Sequence, residues 1–428
     1  MVEAGRPPYD VAIVGAGAAG LWAADAIARA AGERGRRVSV ALVEKTERTG
    51  TKVLASGGTR CNLTTTLEPD EAARLFGPKA ERFLLPALWS LPPFAVRERF
   101  HELGVETVEA PLEKVFPKSG RARDVRDALE RAALAGGARL LLDSRVTGLE
   151  RTGDVWTLHV SEANPIAARA VCLCPGGQSY ARTGTTGDGY AWLEALRLPL
   201  VEPVPGLVPL LSPEPWVHDL AGIAPQDVEA RLVAPNGRTL LRRRRPVVFT
   251  QGGISGPGAM DLSEPVARFE AAPDGEPPRL ALDLFPDLGR DELRDRLIEA
   301  ACAEGAPRLS RLFEADIPKR LRSAIAEIAD LRDPDPRAQA LPKAERHRWI
   351  ETVKGLSLAV TATLGYDKAE VTAGGLDLKV VDPDTMRIRG LPDLYVFGEL
   401  LDVQGPIGGL NFQAAWACAE LAARALLV

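Results

Sequence analysis

Three glycines near the N-terminus have the spacing that allows a backbone to bind a pyrophosphate. They are Gly15, Gly17 and Gly20 in the segment GAGAAG. The first permits a tight turn, the second lets the backbone approach a phosphate closely, and the third lets a helix pack against a strand. Glu44 ends a later apolar run, where a carboxylate can accept hydrogen bonds from an adenosine ribose and repel a 2′-phosphate. This pattern predicts a dinucleotide site.

Two strands and a helix must position these residues. The apolar run 11–14 predicts a buried parallel strand, the Ala-rich stretch 21–31 predicts a helix, and the run 38–43 predicts the next strand. The N-terminus of the helix would then face the phosphates. Glycines alone are a weak signal, but the strand, the helix and the acid together favour a Rossmann-type unit over a chance glycine-rich helix start.

The composition favours a folded protein of more than one domain. With 428 residues, 46% of them hydrophobic, the chain is long enough for two or three packed domains. A net charge of -5 argues against a mainly nucleic-acid-binding role, without excluding a local basic surface. Five cysteines without paired spacing favour a reducing compartment over a disulfide framework. We see no targeting signal and no run long enough to span a membrane, so we expect a soluble, cytoplasmic protein.

A polar, glycine-rich segment, residues 50–62 (GTKVLASGGTRCN), follows Glu44 after a few residues. The topology of a parallel sheet places this segment at the carboxyl edge, beside the dinucleotide. Lys52 and Arg60 can balance phosphate charge there, and the N–H groups of residues 56–58 can form an anion nest. The alternative is an ordinary surface loop with two solvated cations, but Cys and Asn among the glycines favour a functional loop.

Residues 50–62 also resemble the signature of the HI0933-like flavoproteins, known too as the BaiN/YhiN-type or aminoacetone oxidase family of FAD-binding proteins. Other segments that resemble the family occur in family order along nearly the whole chain: 115–119, 176–177, 186–190, 255–257, 371–375, 398–399 and 411–413. The resemblance is strongest to a short bacterial subgroup. It implies an α/β fold with a Rossmann-like FAD-binding domain of the two-dinucleotide-binding type, an inserted β-barrel-like domain and a small helical subdomain.

The C-terminal part of the chain again predicts a strand, a glycine turn and a helix. Residues 394–397 predict the strand, Gly398 and Glu399 the turn, and 412–427 the helix. In FAD enzymes of this architecture such an acid holds the ribityl hydroxyls, and the helix N-terminus stabilises negative charge on the reduced flavin. FAD rather than NAD is therefore expected as the bound cofactor. Because no second glycine-rich unit of this type occurs, NADPH or NADH would bind only transiently, as an electron donor.

The patterns and the resemblance together predict the cofactor site. Val146 would contact adenine through its backbone, and Gly176 and Gly177 would form a second close approach to the cofactor. The residues predicted to bind FAD are Gly15, Gly17, Ala18, Ala19, Gly20, Glu44, Lys45, Lys52, Ser56, Gly57, Gly58, Arg60, Cys61, Asn62, Val146, Gly176, Gly177, Gly398, Glu399, Asp402, Gly408, Gly409, Asn411 and Phe412.

Catalysis needs orientation and a proton from the protein, because the flavin carries the hydride. The candidates are Arg60 as an anion stabiliser, Cys61 as a proton donor, redox partner or packing residue, and Gln251. Family members commonly have His at the position of Gln251, and Gln cannot donate a proton near neutral pH. Thr59 likewise stands where the pattern usually has glycine. The four histidines have no metal-ligand spacing, so no metal site is predicted.

The sequence changes character near residue 199, where prolines become frequent and the predicted strands short. Strands are expected at 207–211, 228–233, 247–250 and 280–284, with a hairpin turn at 235–237 and a helical block at 290–346. We therefore predict an FAD-binding domain at 1–196 and 376–428, an inserted β-rich domain at 197–288 and 349–375, and a helical subdomain at 289–348.

Two further groups of residues have side chains that could take part in chemistry. Cys172 and Cys174 lie two apart on a predicted strand and share a face, but buried filler thiols are favoured over a redox pair. The arginines at 242–245 can grip a phosphate or an RNA backbone, but a charged strand edge is favoured.

The leading hypothesis is an FAD-dependent oxidoreductase, specifically an NAD(P)H-fed reductase of an unsaturated or carbonyl-bearing small molecule. The activities implied by the resemblance range from reducing unsaturated steroid acids to reducing uridine in ribosomal RNA, and the aminoacetone oxidase label suggests amine oxidation. The fold therefore does not select the substrate. The alternatives are a uridine reductase that grips RNA through residues 242–245, an amine oxidase, and a non-catalytic flavin-binding redox sensor. The sequence leaves the oligomeric state open.

Overall fold

The computed structural model describes residues 7–273, 275–312 and 317–427. Within these residues the chain forms two compact units, the first from 7–203 and 370–427 and the second from 204–369. The first unit is thus built from both parts of the chain that flank the second. The finer division of the insert at 288 and 349 stays a prediction. Residues 1–6, where no targeting signal is predicted, and 313–316 of the predicted helical block lie outside the described residues.

The elements up to residue 206 include both strands and helices. They are β1 (Tyr9–Val14), α1 (Ala18–Glu33), β2 (Val40–Val43), α2 (Thr51–Thr59), β3 (Thr64–Thr65), α3 (Pro69–Arg74), α4 (Gly77–Ser90), α5 (Pro93–Glu102), β4 (Thr107–Ala110), β5 (Lys114–Pro117), α6 (Ala122–Ala135), β6 (Arg139–Leu141), β7 (Val146–Thr152), β8 (Val155–Val160), β9 (Ile166–Leu173), α7 (Asp188–Ala195) and β10 (Leu200–Gly206).

The second unit then follows, and the chain returns to the first. The elements of the second unit are β11 (Leu210–Leu211), α8 (Pro215–Asp219), β12 (Glu229–Val233), β13 (Thr239–Arg244), β14 (Val248–Thr250), β15 (Gly253–Ser255), α9 (Pro257–Met260), α10 (Ser263–Ala271), β16 (Arg279–Asp283), α11 (Arg290–Cys302), α12 (Lys319–Ile328), α13 (Lys343–Val353), β17 (Leu356–Ala359) and β18 (Ala362–Thr363). The return consists of β19 (Val371–Leu376), β20 (Leu394–Val396) and α14 (Leu410–Ala425).

A seven-stranded sheet organises the first unit. Its parallel part has the order β6-β2-β1-β9, with β20 beside the end of β9, and β8 and β7 continue it in antiparallel fashion. All of β2 and residues 11–14 of β1 are buried, as expected for parallel strands covered on both faces. The predicted strand, helix and second strand are confirmed, although α1 is longer than predicted and β2 begins only at Val40.

Helices α1 and α14 pack together and join the two ends of the first unit. Trp22 and Trp416 stack with their ring centroids 5.4 Å apart, and Phe100 lies 5.9 Å and 5.1 Å from them. All three rings are fully buried. This aromatic cluster explains why the last helix belongs to the same unit as the first.

The second unit contains two four-stranded antiparallel sheets, with the orders β13-β12-β16-β17 and β14-β15-β11-β18. The predicted hairpin turn lies between β12 and β13. Strands and helices of this unit share one hydrophobic core, whose members include Leu280, Leu293, Ile325, Trp349 and Leu358.

The strand predicted at 207–211 is wrong in extent. Strand β10 ends at Gly206, and only Leu210–Leu211 form β11. Leu207 between them has a φ of 50°, a left-handed conformation that cannot continue an extended strand. Among the described helices, none has an apolar stretch long enough to cross a lipid bilayer.

Candidate functional site

The glycine turn after β1 is shaped by close backbone contacts. Gly15 has a φ of +105°, and a β-carbon there would lie 2.5 Å from Cys174 O. A β-carbon on Gly20 would lie 1.8 Å from Gly15 O, so helix α1 can approach the turn only with glycine at this position. Gly17 differs, because a β-carbon there would meet nothing within 4 Å. Two of the glycines are therefore required by the fold, and Gly17 leaves open space.

Glu44 is held in a fixed orientation beside this turn. Its Oε2 accepts a hydrogen bond from Ala16 N at 2.9 Å. Its Oε1 accepts from Thr46 N at 3.0 Å and from Thr46 Oγ1 at 2.9 Å. Oε2 accepts only one of these bonds and has further acceptor capacity, so the group is preorganised to receive a hydroxyl group of a ribose.

The glycine-rich last part of α2 departs from helical geometry and turns in a left-handed conformation. Ser56 is extended, and Gly57, Gly58 and Thr59 have φ values of 55°, 65° and 69°. A glycine would adopt this conformation at Thr59 without strain. The backbone therefore accounts for the glycine that family members usually have there.

The two catalytic candidates in this segment have different surroundings. Cys61 is fully buried, and burial raises the pKa of its thiol to about 12, although a hydrogen bond with Ser56 opposes the shift. The thiol therefore stays protonated and unreactive at neutral pH. Arg60 is exposed, and its guanidinium lies 4.7 Å from the centre of the Phe116 ring. Asn62 Oδ1 accepts a hydrogen bond from Val115 N at 3.2 Å.

Lys52 and Glu399 form an ion pair at the carboxyl edge of the sheet. Lys52 Nζ lies 2.6 Å and 2.8 Å from the two Glu399 oxygens and donates to Ser179 Oγ at 2.6 Å. Glu399 Oε1 also accepts from Ser179 Oγ at 2.9 Å and from Thr372 N at 2.8 Å. The sequence assigns Lys52 to phosphate charge and Glu399 to ribityl hydroxyls, whereas the structure joins them to each other.

The two glycines after β9 are explained by neighbouring side chains. A β-carbon on Gly177 would lie 2.3 Å from Thr372 Oγ1 and 2.9 Å from Glu399 Oε1. One on Gly176, which has a φ of +84°, would lie 2.7 Å from Thr185 Cγ2. The need for glycine at both positions comes from the protein itself, and contact of either with a cofactor stays a prediction.

The turns before α14 are equally tight. A β-carbon on Gly398 would lie 3.3 Å from Ala19 Cβ, so the turn after β20 lies against the first turn of α1. Gly409 has a φ of +84°, and a β-carbon there would lie 2.2 Å from Thr64 O. The Asn411 side chain closes the preceding loop, because its Oδ1 accepts from Gly405 N at 2.8 Å and its Nδ2 donates to Gly405 O at 2.9 Å.

Other predicted cofactor residues have partners within the protein. Lys45 Nζ donates to Asp188 Oδ2 at 2.7 Å, and Asp402 accepts from Lys79 Nζ at 2.9 Å. Burial raises the pKa of Asp188, but the hydrogen bond and charge of Lys45 outweigh it, so the pKa lies below its usual value. Val146 is buried at the start of β7 and pairs with Val160. These contacts leave the predicted cofactor roles untested.

The features of the second unit lie on its surface. Gln251 is exposed at the turn between β14 and β15. The arginine run lies largely on β13, which is an edge strand of its sheet. Arg244 is paired with Asp227 and Asp287, each at 2.6 Å. A charged strand edge is thus the environment found there.

The thiols of Cys172 and Cys174 are both buried. Burial raises both pKa values, and the repulsion that a second thiolate at Cys172 would exert adds to the rise at Cys174. The two thiols are therefore inert fillers, as favoured from the sequence. Among the described residues, no group of three His, Cys, Asp or Glu side chains could hold a metal ion.

The structure adds Glu370 and Tyr180, which sequence reasoning missed. Glu370 is exposed, yet desolvation by the surrounding protein raises its pKa against the charges of Lys52 and Lys114. Tyr180 has a φ of 57°, and burial together with the charge of Glu370 raises its pKa. Strained backbone and shifted pKa values are typical of active sites.

A weak sequence signal for these two residues exists. Glu370 directly precedes the matched segment 371–375, and Tyr180 follows the matched Gly176 and Gly177 after a few residues. Position in a matched segment shows neither desolvation nor a left-handed backbone, because both depend on the folded surroundings.

The groups present fit a flavin dinucleotide. Helices α1 and α14 both begin after a glycine, without a side-chain cap and without an acid in the first turn. Their first N–H groups can therefore donate to anionic groups, which the positive ends of the helix dipoles also favour. The open space at Gly17 and the oriented carboxylate of Glu44 suit a diphosphate and its ribose.

The chain matches a described protein family and is similar to known proteins over nearly its whole length. Residues 9–425 match the family model described as HI0933-like protein Rossmann domain. The chain is 30% identical over 423 residues to the 3-dehydro-bile acid delta(4,6)-reductase of Clostridium scindens. This match covers 97% of this chain and 98% of that protein. It is 29% identical over 416 residues to the ribosomal RNA dihydrouridine synthase of Escherichia coli, and this match covers 96% of this chain and 97% of that protein.

A solved structure has the same fold. The 3-ketosteroid delta1-dehydrogenase from Sterolibacterium denitrificans is similar with a TM-score of 0.54 at 14% sequence identity, and covers 98% of this chain and 99% of that one. The Rossmann-like FAD-binding fold predicted from the sequence is thus confirmed, with antiparallel sheets in addition. The chain is an FAD-dependent oxidoreductase that belongs to the HI0933-like protein Rossmann domain family.

Proposed function

We propose that this enzyme uses electrons from NADPH or NADH to reduce a carbon–carbon double bond conjugated to a carbonyl group in a small molecule. The observation that carries the proposal is the full-length similarity to two relatives whose names both describe the addition of hydrogen to a double bond. One is named a delta(4,6)-reductase and the other a dihydrouridine synthase, and each match covers at least 96% of this chain.

The chain contributes binding and electrostatics to this reaction. Bound FAD would supply the hydride. The uncapped N-termini of α1 and α14 offer N–H donors and positive dipole ends to the anionic groups of a dinucleotide. Glu44, oriented by Ala16 and Thr46, would accept hydrogen bonds from the ribose. These contacts hold and orient the cofactor without taking part in bond changes.

The proton that accompanies the hydride needs an acid that the substrate can reach. Glu370 suits this role because it is exposed and because desolvation raises its pKa, which keeps it protonated to a higher pH than an ordinary glutamate. Cys61 suits it poorly, since its thiol is fully buried and its pKa is about 12. We therefore assign proton donation to Glu370, whose charge also raises the pKa of Tyr180.

The arginine run supports a small molecule over RNA. RNA binding gains affinity when cations on the protein replace counterions on phosphates. Arg244 is paired with two carboxylates, and Arg243 Nε lies 3.8 Å from Asp261 Oδ2. The net charge of -5 also disfavours an extended polyanion.

Anaerobic absorption spectroscopy of the FAD-loaded protein tests the proposal. We expect NADPH or NADH to bleach the flavin band within seconds, and a 3-oxo-4,6-diene bile acid to restore it. The same reduced protein is offered a ribosomal RNA transcript, which we expect to leave the band bleached. A band that stays oxidised with both nucleotides would contradict a nicotinamide-fed reductase. Bleaching by a primary amine would favour an oxidase, and reoxidation by RNA would favour the uridine reductase.

A further inference from the structure

The sheet brings Lys52 and Glu399 together from distant parts of the chain. Lys52 lies in α2, which follows β2, while Ser179 follows β9 and Glu399 follows β20. Strands β2, β1, β9 and β20 run parallel, so their carboxyl ends lie along one edge of the sheet. In doubly wound folds the cofactor binds in the crevice outside this edge. The ion pair therefore lies at the edge where FAD is expected.

Buried groups hold the pair in place. The Lys52 and Glu399 side chains are 21% and 18% exposed, whereas Ser179 is 0% and Thr372 is 1% exposed. Thr372 Oγ1 accepts hydrogen bonds from Gln178 N at 2.7 Å and Ser179 N at 3.2 Å, which fixes the segment that carries Ser179. Ser179 Oγ in turn contacts both members of the pair. The two charges thus have fixed positions and remain accessible to a ligand.

We propose that Lys52 and Glu399 carry opposing charges that each shift the reduction potential of the bound FAD, so that their pairing holds the potential close to that of an uncharged site. This inference rests on the proposed function, because it assumes that FAD accepts electrons at this edge of the sheet. Reduction adds two electrons, and the reduced flavin carries negative charge. A nearby cation favours that charge and a nearby anion opposes it. In the intact pair the two effects largely cancel.

Opposite shifts in potential test the idea. Lys52→Met leaves the carboxylate alone and should make FAD harder to reduce, whereas Glu399→Gln leaves the ammonium alone and should make it easier. The expected size is about a tenfold change in the equilibrium constant for two-electron reduction, which corresponds to about 30 mV. The double variant has lost both charges and should return close to the wild-type potential. An anaerobic titration of the FAD-loaded proteins with dithionite and a reference dye measures the reduction potentials of the wild type, the two single variants and the double variant.

Matched controls come from an exposed ion pair on the same unit. Lys118 Nζ and Glu106 Oε2 are 2.7 Å apart, and both side chains are more than half exposed. Lys118→Met and Glu106→Gln should leave the potential unchanged. Lys52→Arg keeps the charge and should stay close to wild type.

Some results would contradict the inference, and a different result would contradict the proposed function. Equal potentials in the wild type and both single variants, or shifts of the same sign, overturn the inference. Where a variant binds FAD weakly, the ratio of its dissociation constants for oxidised and reduced FAD gives the same shift by thermodynamic linkage. If dithionite reduces the bound FAD but NADPH and NADH do not, the proposed function fails while the potentials still test the pair.

Discussion

Trp22 in α1 donates its indole N–H to the Glu420 carboxylate in α14 at 3.0 Å, although the two residues lie near opposite ends of the chain. Arg29 Nη2 donates to the same oxygen at 2.6 Å. Glu420 is only 3% exposed, so its charge depends on these partners. Because α1 and α14 both begin at the candidate cofactor site, this buried contact helps to set how the two helix N-termini lie relative to each other.

Removing the aromatic packing between these helices should destabilise the first unit strongly. Trp416 is fully buried and stacks on both Trp22 and Phe412. We expect Trp416→Ala to lower the free energy of unfolding by about 3 to 5 kcal/mol, as measured by urea denaturation followed by circular dichroism. Trp89, which is 59% exposed, provides the control, and Trp89→Ala should change stability by less than about 1 kcal/mol. Equal losses in the two variants would contradict the packing described.

The Glu420 carboxylate should make stability depend on pH. Burial raises its pKa, but the charge and hydrogen bond of Arg29 outweigh burial, so the pKa lies below its usual value of 4.5. Stabilisation by a depressed carboxylate is complete above its unfolded-state pKa and is lost as the pH falls through its folded-state pKa. We expect Glu420→Gln to lose on the order of 3 kcal/mol at pH 7, and the gap to wild type to close in acid. Urea titrations between pH 7 and pH 3 measure the stability difference between the variant and the wild type. A difference that does not change with pH would contradict the assigned role of the Glu420 charge.

Three glycines in α1 and its turn separate a structural requirement from a ligand requirement. Gly20→Ala should fail to fold properly, because its β-carbon would lie 1.8 Å from Gly15 O. Gly17→Ala should fold with nearly wild-type stability yet retain little FAD, because its β-carbon enters open space that the diphosphate of FAD is proposed to occupy. Gly32→Ala, later in the same helix with nothing within 4 Å, is the control and should change neither property. The measurement is the ratio of FAD to protein after gel filtration. Full FAD retention by Gly17→Ala would show that the diphosphate binds elsewhere.

Alkylation should distinguish the cysteines. Cys302 is exposed, whereas Cys61, Cys172, Cys174 and Cys418 are buried. Burial raises the pKa of Cys61 and of Cys418 to about 12, so neither forms a thiolate at pH 8. Iodoacetamide at that pH should modify Cys302 first, as judged by peptide mass spectrometry of the native protein. Rapid labelling of Cys61 would restore it as a catalytic candidate.

Glu370→Gln should slow delivery of the proton without affecting electron entry. Reduction of FAD by NADPH should keep its rate, whereas reoxidation by the conjugated acceptor should slow by about 100-fold or more. The pKa of Glu370 is raised, chiefly by desolvation, so the wild-type rate should hold to a higher pH than an ordinary glutamate allows and then fall as the carboxyl ionises. That fall should vanish in the variant. Glu47→Gln, at a carboxylate that is 75% exposed, is the control for both measurements.

Local patterns predicted much of the cofactor half of the molecule. The turn around Gly15 and Gly20 follows from backbone sterics, which a single sequence displays as glycine spacing. An apolar run predicted β1, an Ala-rich stretch predicted α1, and the strand and glycine turn at 394–398 led to the prediction of α14, because each of these is a local feature of the chain. Glu44 was predicted because its distance from the turn is fixed by one helix and one strand.

Contacts between residues that are distant along the chain could not be predicted from the sequence. Lys52 and Glu399 are separated by 347 positions, and their pairing depends on the order of β2, β9 and β20 in the sheet. The sequence left Cys61 open as a redox group, and only burial decides against it. Glu370 was not singled out, since desolvation is a property of everything packed around a residue. Leu207 broke a predicted strand through a φ angle that hydrophobic pattern does not encode.

The insertion of the second unit between β10 and β19 has a consequence for biosynthesis. A ribosome makes Trp22 398 residues before Glu420. At about 5 to 20 residues per second, roughly 20 to 80 seconds pass between them. During that interval α1 has no α14 to cover its tryptophan, while all of the second unit is synthesised. Because the N-termini of α1 and α14 are both expected to face FAD, we expect the cofactor to load only after α14 has been made, so a nascent chain halted before residue 410 should retain no FAD.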